Sequence, residues 1–254
     1  MALFVDGSAA TIDDLTNQDS GMLDVSQTCG IDVSTKLRLA HEEIETDLQL
    51  WLERPRPILE LVWPPVLRME QIVVTPTLTR WETMQALALF YRDAYFSQLA
   101  DRYQAKWNEY SSLTRSAYEK YMLCGMGLVQ YPVHRAPAPL LGSVAGPQSG
   151  GTFYASASWV NSQGGEGAAS VASSIAIPDG NLMTVGMPAA PPKVAGFNVY
   201  AGSALSAMYL QNDVVLPLGA SFTYVPGFVT QGRLPGTGQH PEFVRPLGRM
   251  LWRG

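Results

Sequence analysis

The sequence predicts an α + β protein of more than one domain, because the apolar periodicity changes once along the chain. Apolar residues recur at helical spacing as far as about residue 124, and short strand-like runs separated by turn residues follow from 152. A segment rich in Pro, Gly, Ser and Ala lies between, and 254 residues suffice for two hydrophobic cores. We therefore expect an α-helical bundle with one long helix at 1–131, a linker at 132–151, a β-sandwich at 152–229 and an extended docking tail at 230–254.

Two helices are predicted before residue 53. The first begins near Thr11, and the second begins after Gly30, is capped by Asp32 or Ser34, and ends at the Pro residues that start at Pro55. The apolar residues of the second helix recur every three or four positions and so share one face: Leu37, Ala40, Ile44, Leu48 and Trp51.

The strongest helical pattern spans 81–124, where neither Pro nor Gly interrupts the chain. It fits one long helix or two helices that meet near Asp101, and Gly125 supplies its end. Before it, residues 68–75 are expected to form a short strand or an extended arm. The apolar and aromatic stripe predicted to face the core comprises Trp81, Met84, Ala88, Tyr91, Tyr95, Leu99, Tyr103, Trp107, Tyr110, Thr114, Ala117 and Tyr121.

Strand-like runs about ten residues apart dominate the second half. Turn sequences such as PDGN separate them, and this spacing is typical of a β-sandwich. The predicted strands lie at 152–160, 168–177, 181–187, 195–201, 206–211 and 220–225.

Charge is unevenly distributed between the two halves. Residues 1–131 hold 11 Lys and Arg against 18 Asp and Glu, a net charge of −7, whereas residues 132–254 hold 6 against 4, a net charge of +2. Opposite charges on the two halves favour head-to-tail contact between copies, although ordinary scatter explains them equally well. The charged fraction of 15% is low against about 25% in typical soluble domains, which fits a surface covered by partners or an uncharged polar one.

Cysteine usage and hydropathy predict an intracellular protein without a membrane span. No stretch approaches the roughly 20 apolar residues that cross a bilayer, and the N-terminus lacks the pattern of a secretory signal. Cys29 and Cys124 show no metal-site spacing and are interpreted as free thiols from a reducing cytoplasm, with one long-range disulfide as the alternative.

Motifs for catalysis, cofactors and metals are not found, and the sequence therefore predicts a protein that is not an enzyme, with no cofactor and no metal. His41 opens the sequence HEEIE, but Glu45 stands where a zinc-protease helix needs a second His. The sequence GSVAG at 142–146 lacks the central Ser of a nucleophile elbow, and the short Gly runs are not followed by the Lys of a phosphate-binding loop.

The C-terminal tail is expected either to be disordered or to dock on a partner, and docking is the favoured interpretation. It has no periodicity of its own, yet it combines apolar and basic side chains, and Trp and Arg are enriched at binding hot spots. The candidate docking residues are Arg233, Phe243, Arg245, Leu247, Arg249, Leu251, Trp252 and Arg253.

Two stretches carry a family resemblance. Residues 73–110 combine V-T-P before the helix, YRDAY at 91–95 and DRYQAKW at 101–107, and in this they resemble the helical head–tail connector proteins (adaptor or head-completion proteins) of tailed bacteriophages. The second half resembles the fibronectin-type or Ig-like modules of phage virion proteins, on GTFYASASWVNSQGGEGAAS, MPAAPPKVAGFNVYAG and MYLQNDVVLPLGASFTY.

The resemblance implies a structural role in the virion neck, in a protein made in the host cytoplasm. Adaptors of this class form a homo-oligomeric ring, typically of twelve copies, under the portal protein. They extend the channel through which genomic DNA passes and dock a tail or stopper protein, without contact to a membrane. The C-terminal tail, here from about Phe243 to Gly254, commonly inserts into the portal.

Two other interpretations remain open at the level of sequence. The chain is alternatively a tail, baseplate or fibre-attachment module whose β-sandwich binds protein or glycan, with Trp159, Tyr200 and Tyr209 as candidate sugar-stacking residues. An enzyme with an unrecognised site is the third interpretation, and it predicts a pocket with perturbed titratable groups.

Overall fold

The computed structural model describes residues 1–53, 67–98, 101–224, 229, 231–236 and 238–245. These residues form an α + β protein, as predicted, with five α-helices and ten strands in antiparallel sheets. The chain divides into two compact units. The helical unit comprises residues 7–128 and 241–254, and the β unit comprises residues 1–6 and 129–240.

Five α-helices build the helical unit. Two of them precede Gly30, where the sequence predicted one, because a turn at Asp19 divides that segment. A reciprocal pair of hydrogen bonds between Thr11 and Asp14 caps the first helix, and Asp32 accepts from two backbone N–H groups at the start of the third. The helices are α1 (Ile12–Gln18), α2 (Met22–Cys29), α3 (Val33–Leu52), α4 (Pro76–Gln98) and α5 (Asp101–Cys124).

The central helix of this unit is α4, which packs against both α3 and α5. Its predicted stripe is buried at Trp81, Met84, Ala88 and Tyr91, but the intervening Leu87 and Phe90 are buried too. A helix that packs between two others has little surface in contact with solvent. Its apolar residues are therefore buried on most sides, as in a core helix. The continuous pattern at 81–124 corresponds to two helices, α4 and α5, which pack against each other, and Leu99 lies outside the described residues.

Ten strands were identified in the described residues. They are β1 (Met126–Leu128), β2 (Leu140–Ala145), β3 (Gly151–Asn161), β4 (Ser173–Ile177), β5 (Asn181–Gly186), β6 (Val194–Gly202), β7 (Tyr209–Leu210), β8 (Leu216–Pro217), β9 (Phe222–Thr223) and β10 (Glu242–Val244). The β unit contains a three-stranded sheet of order β2-β5-β9 and a larger sheet of order β4-β3-β6-β7, in which β8 also pairs with β6.

Side chains of both sheets contribute to one hydrophobic core in the β unit. The longest strands, β3 and β6, pair along most of their length and alternate their side chains between two faces. Trp159 is 1% exposed, and its ring lies edge-on to the ring of Phe197 at 6.3 Å between centroids. Met183 and Val185 of β5 join the same core, which also holds Phe153, Ala155, Ile177, Val199, Ala201 and Tyr224.

The structure differs from the predicted domain boundaries in two segments. In the expected linker at 132–151, Leu140–Ala145 form β2, because its backbone groups pair with β5 from Leu140 opposite Gly186 to Ala145 opposite Asn181. In the expected extended tail, residues 231–236 and 238–240 belong to the β unit, and Glu242–Val244 form β10 in the helical unit. Long-range pairing of this kind leaves no local signal in the sequence.

Residues 68–75, predicted as a strand or an arm, adopt a mixed conformation. Met69–Gln71 form a 3-10 turn, Ile72 makes a bridge to Leu128, and the N–H of Val73 donates to the carbonyl of Gly127 at 3.0 Å. The segment therefore runs beside β1 and links the start of α4 to the end of α5.

Candidate docking groove

A surface groove runs along the helical unit between α3 and α5, with α4 as its floor. It consists of two adjoining cavities of about 190 and 370 Å³ that share Gln85, Ser111 and Thr114 in their linings. Because both cavities are open to solvent and contiguous, the groove suits an extended or helical segment of protein rather than an enclosed small molecule.

Aromatic and aliphatic side chains line the larger cavity. Trp51 and Leu50 come from α3, Trp81 from α4 and Tyr118 from α5, and the rings of Trp81 and Tyr118 meet edge-on at 5.1 Å between centroids. Leu50 is 55% exposed at the rim. Exposed apolar side chains next to a concave surface are typical of sites where another chain binds.

Charged side chains from all three helices line the groove. Glu43 and Asp47 belong to α3, whereas Arg92 belongs to α4 and Arg115 to α5. Glu43 accepts a hydrogen bond from Gln85, so one carboxylate is already held across the two helices. The groove therefore offers carboxylates from α3 and guanidinium groups from α4 and α5.

Thr114 presents a polar atom without a partner in this lining. Its Oγ1 is buried, yet it makes no hydrogen bond. Thr114 contributes to the lining of both cavities. The sequence placed Thr114 on the core-facing stripe and gave no hint of this role.

Three of the eight predicted docking residues fall within the described residues. Phe243 lies in β10 and is 54% exposed, which leaves its ring available to a partner. Arg245 donates from Nε to the carbonyl of Cys124 at 3.3 Å, at the C-terminal end of α5. Leu247, Arg249, Leu251, Trp252 and Arg253 lie outside the described residues.

Arg233, the third of these residues, lies in the β unit and forms an ion pair with Glu166. The Glu166 side chain is only 10% exposed and also accepts hydrogen bonds from Tyr200, at 2.5 Å, and from Ser158. Arg233 therefore contributes to the β unit itself through this ion pair. The structure separates Arg233 from Phe243 and Arg245, which belong to the other unit.

A second buried carboxylate, Asp19, organises the helical unit. It accepts hydrogen bonds from Lys106 Nζ at 2.5 Å, from the Tyr91 hydroxyl at 2.6 Å and from the Tyr110 hydroxyl at 3.2 Å. Burial by itself raises the pKa of Asp19, but the hydrogen bonds and the charge of Lys106 outweigh it and hold that pKa below its ordinary value. Burial, with the neighbouring carboxylate, raises the pKa of both tyrosines.

Glu82 on α4 is fully buried and was missed by the sequence analysis. Its carboxylate accepts from the backbone N–H groups of Ala9 and Ala10 at 3.1 and 3.3 Å, and it lies 3.1 Å from Nδ1 of His41. This His is therefore not a solvated helical residue but part of a contact between α3, α4 and the chain before α1. Only the three-dimensional structure identifies Glu82 as buried, because a lone Glu in a helix is usually solvated.

Metal-ligand clusters were sought throughout the described ranges. No group of three His, Cys, Asp or Glu side chains in them is placed to hold a metal ion. His134, from a Pro-rich loop, contacts Asp6 at 2.9 Å within the β unit. No helix in the same ranges is long and apolar enough to cross a membrane.

The aromatic residues suggested for sugar stacking are mostly buried. Trp159 is 1% exposed and Tyr200 is 0% exposed, so neither ring has a face open to a glycan. Tyr200 instead donates its hydroxyl to Glu166. Tyr209 in β7 is half-buried and is the only one of the three with part of its surface in solvent.

Comparison with known proteins gives no match to a protein-family model and no significant match to a curated protein. The groove, the buried carboxylates and the placement of the C-terminal segment are therefore the observations on which function is argued.

Proposed function

We propose that the chain is a structural protein of the tailed-phage virion, a head–tail adaptor that forms a ring between portal and tail. The proposal rests on the resemblance of residues 73–110 to such adaptors. It is supported by the docking groove of the helical unit, whose open shape suits protein rather than substrate. In this role the helical unit is a small bundle centred on α4 and α5.

The β unit is proposed to be a fibronectin- or Ig-like sandwich that decorates the ring. Two antiparallel sheets that share one core, with Trp159 at its centre, are what such a module requires. Its function in the particle is contact with tail or neck proteins. The alternative of glycan binding is not favoured, because Trp159 and Tyr200 are buried and cannot stack on a sugar.

The C-terminal residues are proposed to reach the portal. Phe243 and Arg245 lie at the end of α5, so the segment after them starts from the helical unit. The proposed docking residues in that segment are Leu247, Arg249, Leu251, Trp252 and Arg253, with Arg and Trp as the expected hot spots. Arg233 is left as a weaker candidate, because Glu166 already pairs with it.

The native mass of the protein tests this function. Mass photometry of the purified chain, alone and mixed with purified portal rings, should show a ring of about twelve copies. Twelve chains of 27.6 kDa give about 330 kDa. A chain that stays monomeric with every portal, or that forms a trimer, contradicts the adaptor proposal and favours a fibre or tail module.

The structure also indicates where to truncate for a docking test. A chain that ends at Arg245 keeps β10 paired with β1, whereas a cut at 230 removes part of both units. The shorter protein should fold but lose portal binding, and Trp252→Ala with Arg249→Ala should weaken it by at least tenfold. Full binding by the truncated chain would show that portal contacts lie elsewhere.

A further inference from the structure

Strand β2 forms a free edge of the three-stranded sheet. It stands at the end of the order β2-β5-β9 and pairs with β5 over all six of its residues without a bulge. In the part of the chain that the structure describes, no strand pairs with its other side. Strand β4 of the other sheet packs near β2 but forms no backbone pair with it.

The free side of β2 presents backbone groups that can pair with another strand. In an antiparallel ladder, only about half of the N–H and C=O groups of a strand point to one neighbour. The other half point away from β5, and residues 140–145 make no further backbone hydrogen bond within the described ranges. Such a row of N–H and C=O groups is a template for one more strand.

This edge lacks the features that usually protect an edge strand, which are charged side chains, Pro, bulges and very short length. The sequence of β2, LLGSVA, contains neither a charged residue nor Pro. The strands at the opposite ends of the two sheets, β7 and β9, have two residues each. Strand β4 has five residues, but the side chains that it exposes are only Ser174 and Ala176. Of the edge strands described in the β unit, β2 therefore combines length with exposed large apolar side chains.

Leu140 and Val144 are the large apolar side chains that β2 exposes, at 63% and 44%. Because side chains alternate along a strand, these two residues and Gly142 share one face. Leu141 lies on the other face, where it packs against the core of the β unit. The outer face of β2 therefore carries a Leu and a Val with a Gly midway between them.

This order of residues is self-complementary in an antiparallel pair. A two-fold axis perpendicular to the sheet keeps the outer faces of both copies on the same side, and an axis at Gly142 places it opposite Gly142 of the second copy. Leu140 then lies opposite Val144 of the second copy, and Val144 lies opposite Leu140. Each exposed apolar side chain thus gains an apolar neighbour, and no charged side chain is brought into the pair.

Pairing of this kind stops at two copies. The joined sheet has the order β9-β5-β2-β2-β5-β9, and its ends are strands of two residues. An isologous contact uses the same surface in both copies and so gives a dimer and not a fibre. One strand pair covers less than the roughly 1,600 Å² of a standard interface, so we expect a weak dimer that depends on concentration.

We propose that β2 is an interface through which the β units of two copies pair edge to edge, antiparallel about Gly142. The outward backbone groups of β2 exchange hydrogen bonds with those of the second copy, and Leu140 packs against Val144 on each side of the axis. The inference concerns the free chain and rests neither on the ring nor on a portal. A two-fold contact also differs from the head-to-tail contact of a ring, so experiments can separate them.

Sedimentation velocity of the full chain over a range of concentrations tests this proposal. The unmodified chain should pass from monomer to dimer as its concentration rises to about 100 µM. Val144→Lys places a charge opposite Leu140 and should weaken dimerisation by about tenfold or more. Val214→Lys is the matched control, because Val214 is 78% exposed in the same unit outside β2, and it should leave dimerisation unchanged.

Two results of this measurement overturn the proposal. A chain that stays monomeric over the whole range leaves the edge of β2 to a strand of a different protein. Equal losses in Val144→Lys and Val214→Lys show that the copies meet through another surface. Circular dichroism of both variants checks that the folded state is kept.

Disulfide formation tests the register. Leu140→Cys and Val144→Cys are made as two separate proteins, each with Cys29→Ser and Cys124→Ser to remove the native thiols. Mild oxidation of their mixture should give a linked dimer, because opposite Cα atoms in an antiparallel pair are about 5 Å apart. Either protein alone should not be linked, because its two Cys lie four residues apart along the pair, about 13 Å. Equal linkage in all three samples, or linkage in none, overturns the pairing about Gly142.

Binding to portal rings gives a separate result for the same variant. Val144→Lys should lose the free dimer but keep the mass of the complex with the portal. Loss of both would assign β2 to the contact within the ring and overturn the two-fold pairing.

Discussion

The helical unit and the β unit each contain a buried carboxylate that accepts hydrogen bonds from several side chains distant in sequence. Asp19 accepts from Lys106, Tyr91 and Tyr110, and Glu166 accepts from Arg233, Tyr200 and Ser158. Asp19 lies between α1 and α2, and Glu166 lies between β3 and β4, where it makes a bridge to Val160. Most of the donors to each carboxylate come from helices or strands. A carboxylate has about four acceptor sites, so it can fasten an irregular segment to several regular elements at once.

The two units differ in what surrounds this centre. In the β unit, residues of both sheets close over one core, and Phe153 and Trp159 of β3 and Phe197 of β6 face inwards. In the helical unit, α4 is buried, but α3 and α5 leave the groove between them open. The β unit is therefore closed around its core, whereas the helical unit has an open groove with apolar, polar and charged side chains.

Substitution of Trp159 in the β unit and of Trp107 in the helical unit measures this difference directly and gives the largest expected effect. Trp159→Ala opens a cavity in the closed core and should cost about 3–5 kcal/mol of unfolding free energy. Trp107→Ala removes a half-buried ring from the groove and should cost less than half as much. Chemical denaturation followed by circular dichroism measures both, and equal losses contradict the distinction between a closed and an open unit.

Asp19→Ala tests the carboxylate of the helical unit. It leaves the Lys106 ammonium and two tyrosine hydroxyls without their acceptor, so we expect a loss of about 2–4 kcal/mol. The exposed Asp13 in α1, the helix that ends just before Asp19, is the control, since Asp13→Ala should change stability by less than about 0.5 kcal/mol. A similar loss of stability in Asp19→Ala and Asp13→Ala would show that the start of α1, and not the hydrogen bonds of Asp19, is responsible for the loss.

The hydrogen bonds of Asp19 also predict that the unfolding free energy depends on pH in the acidic range. The pKa of Asp19 in the folded protein lies below its unfolded value, so its contribution is complete above about pH 4 and is lost as the pH falls through the folded pKa. The difference in unfolding free energy between the unmodified protein and Asp19→Asn should therefore shrink below pH 4. A difference that stays constant down to pH 2 rules out this explanation.

Arg233→Ala probes the corresponding centre in the β unit and should have a smaller effect. Its guanidinium is 53% exposed, and exposed ion pairs contribute about 0.2–1 kcal/mol. We expect a loss of at most about 1 kcal/mol, which 1 M salt should reduce further. Ser158→Ala is the matched change at the same carboxylate without loss of charge, and its effect should not depend on salt.

Sequence patterns predicted the parts of this molecule that local periodicity defines. The buried face of α3, from Leu37 to Trp51, follows from spacings of three and four, and the α + β class follows from the change of period near residue 130. The groove was not predictable, because it depends on how far α3 and α5 stand apart on α4. Strand β2 was missed since its residues, LLGSVA, form a strand only through pairing with β5.

The buried carboxylates show the same limit. Nothing in the sequence separates Glu82, which is fully buried, from Glu42 or Glu45, which are exposed. Its environment is created by Ala9 and Ala10, more than 70 residues away, whose N–H groups converge on it. Polar residues that are satisfied by distant backbone groups carry no periodic signal, so only the fold reveals them.

The smallest effect is expected for Tyr121→Phe, compared with Tyr91→Phe in the same unit. Tyr91 donates its hydroxyl to Asp19, so its loss should cost about 1–3 kcal/mol, whereas the Tyr121 hydroxyl is buried without a partner and its removal should change stability by less than about 0.5 kcal/mol.

Stability measurements at alkaline pH test the expected effect of Tyr121→Phe further. Burial raises the pKa of Tyr121 in the folded protein above the ordinary value of 10.0, so the folded state is disfavoured once the unfolded tyrosine ionises above about pH 10. Tyr121→Phe should therefore reduce the loss of stability between pH 9 and 11. Denaturation curves across this range measure it, and an unchanged slope, or a cost above 1 kcal/mol at pH 7, would show that the hydroxyl has a partner after all.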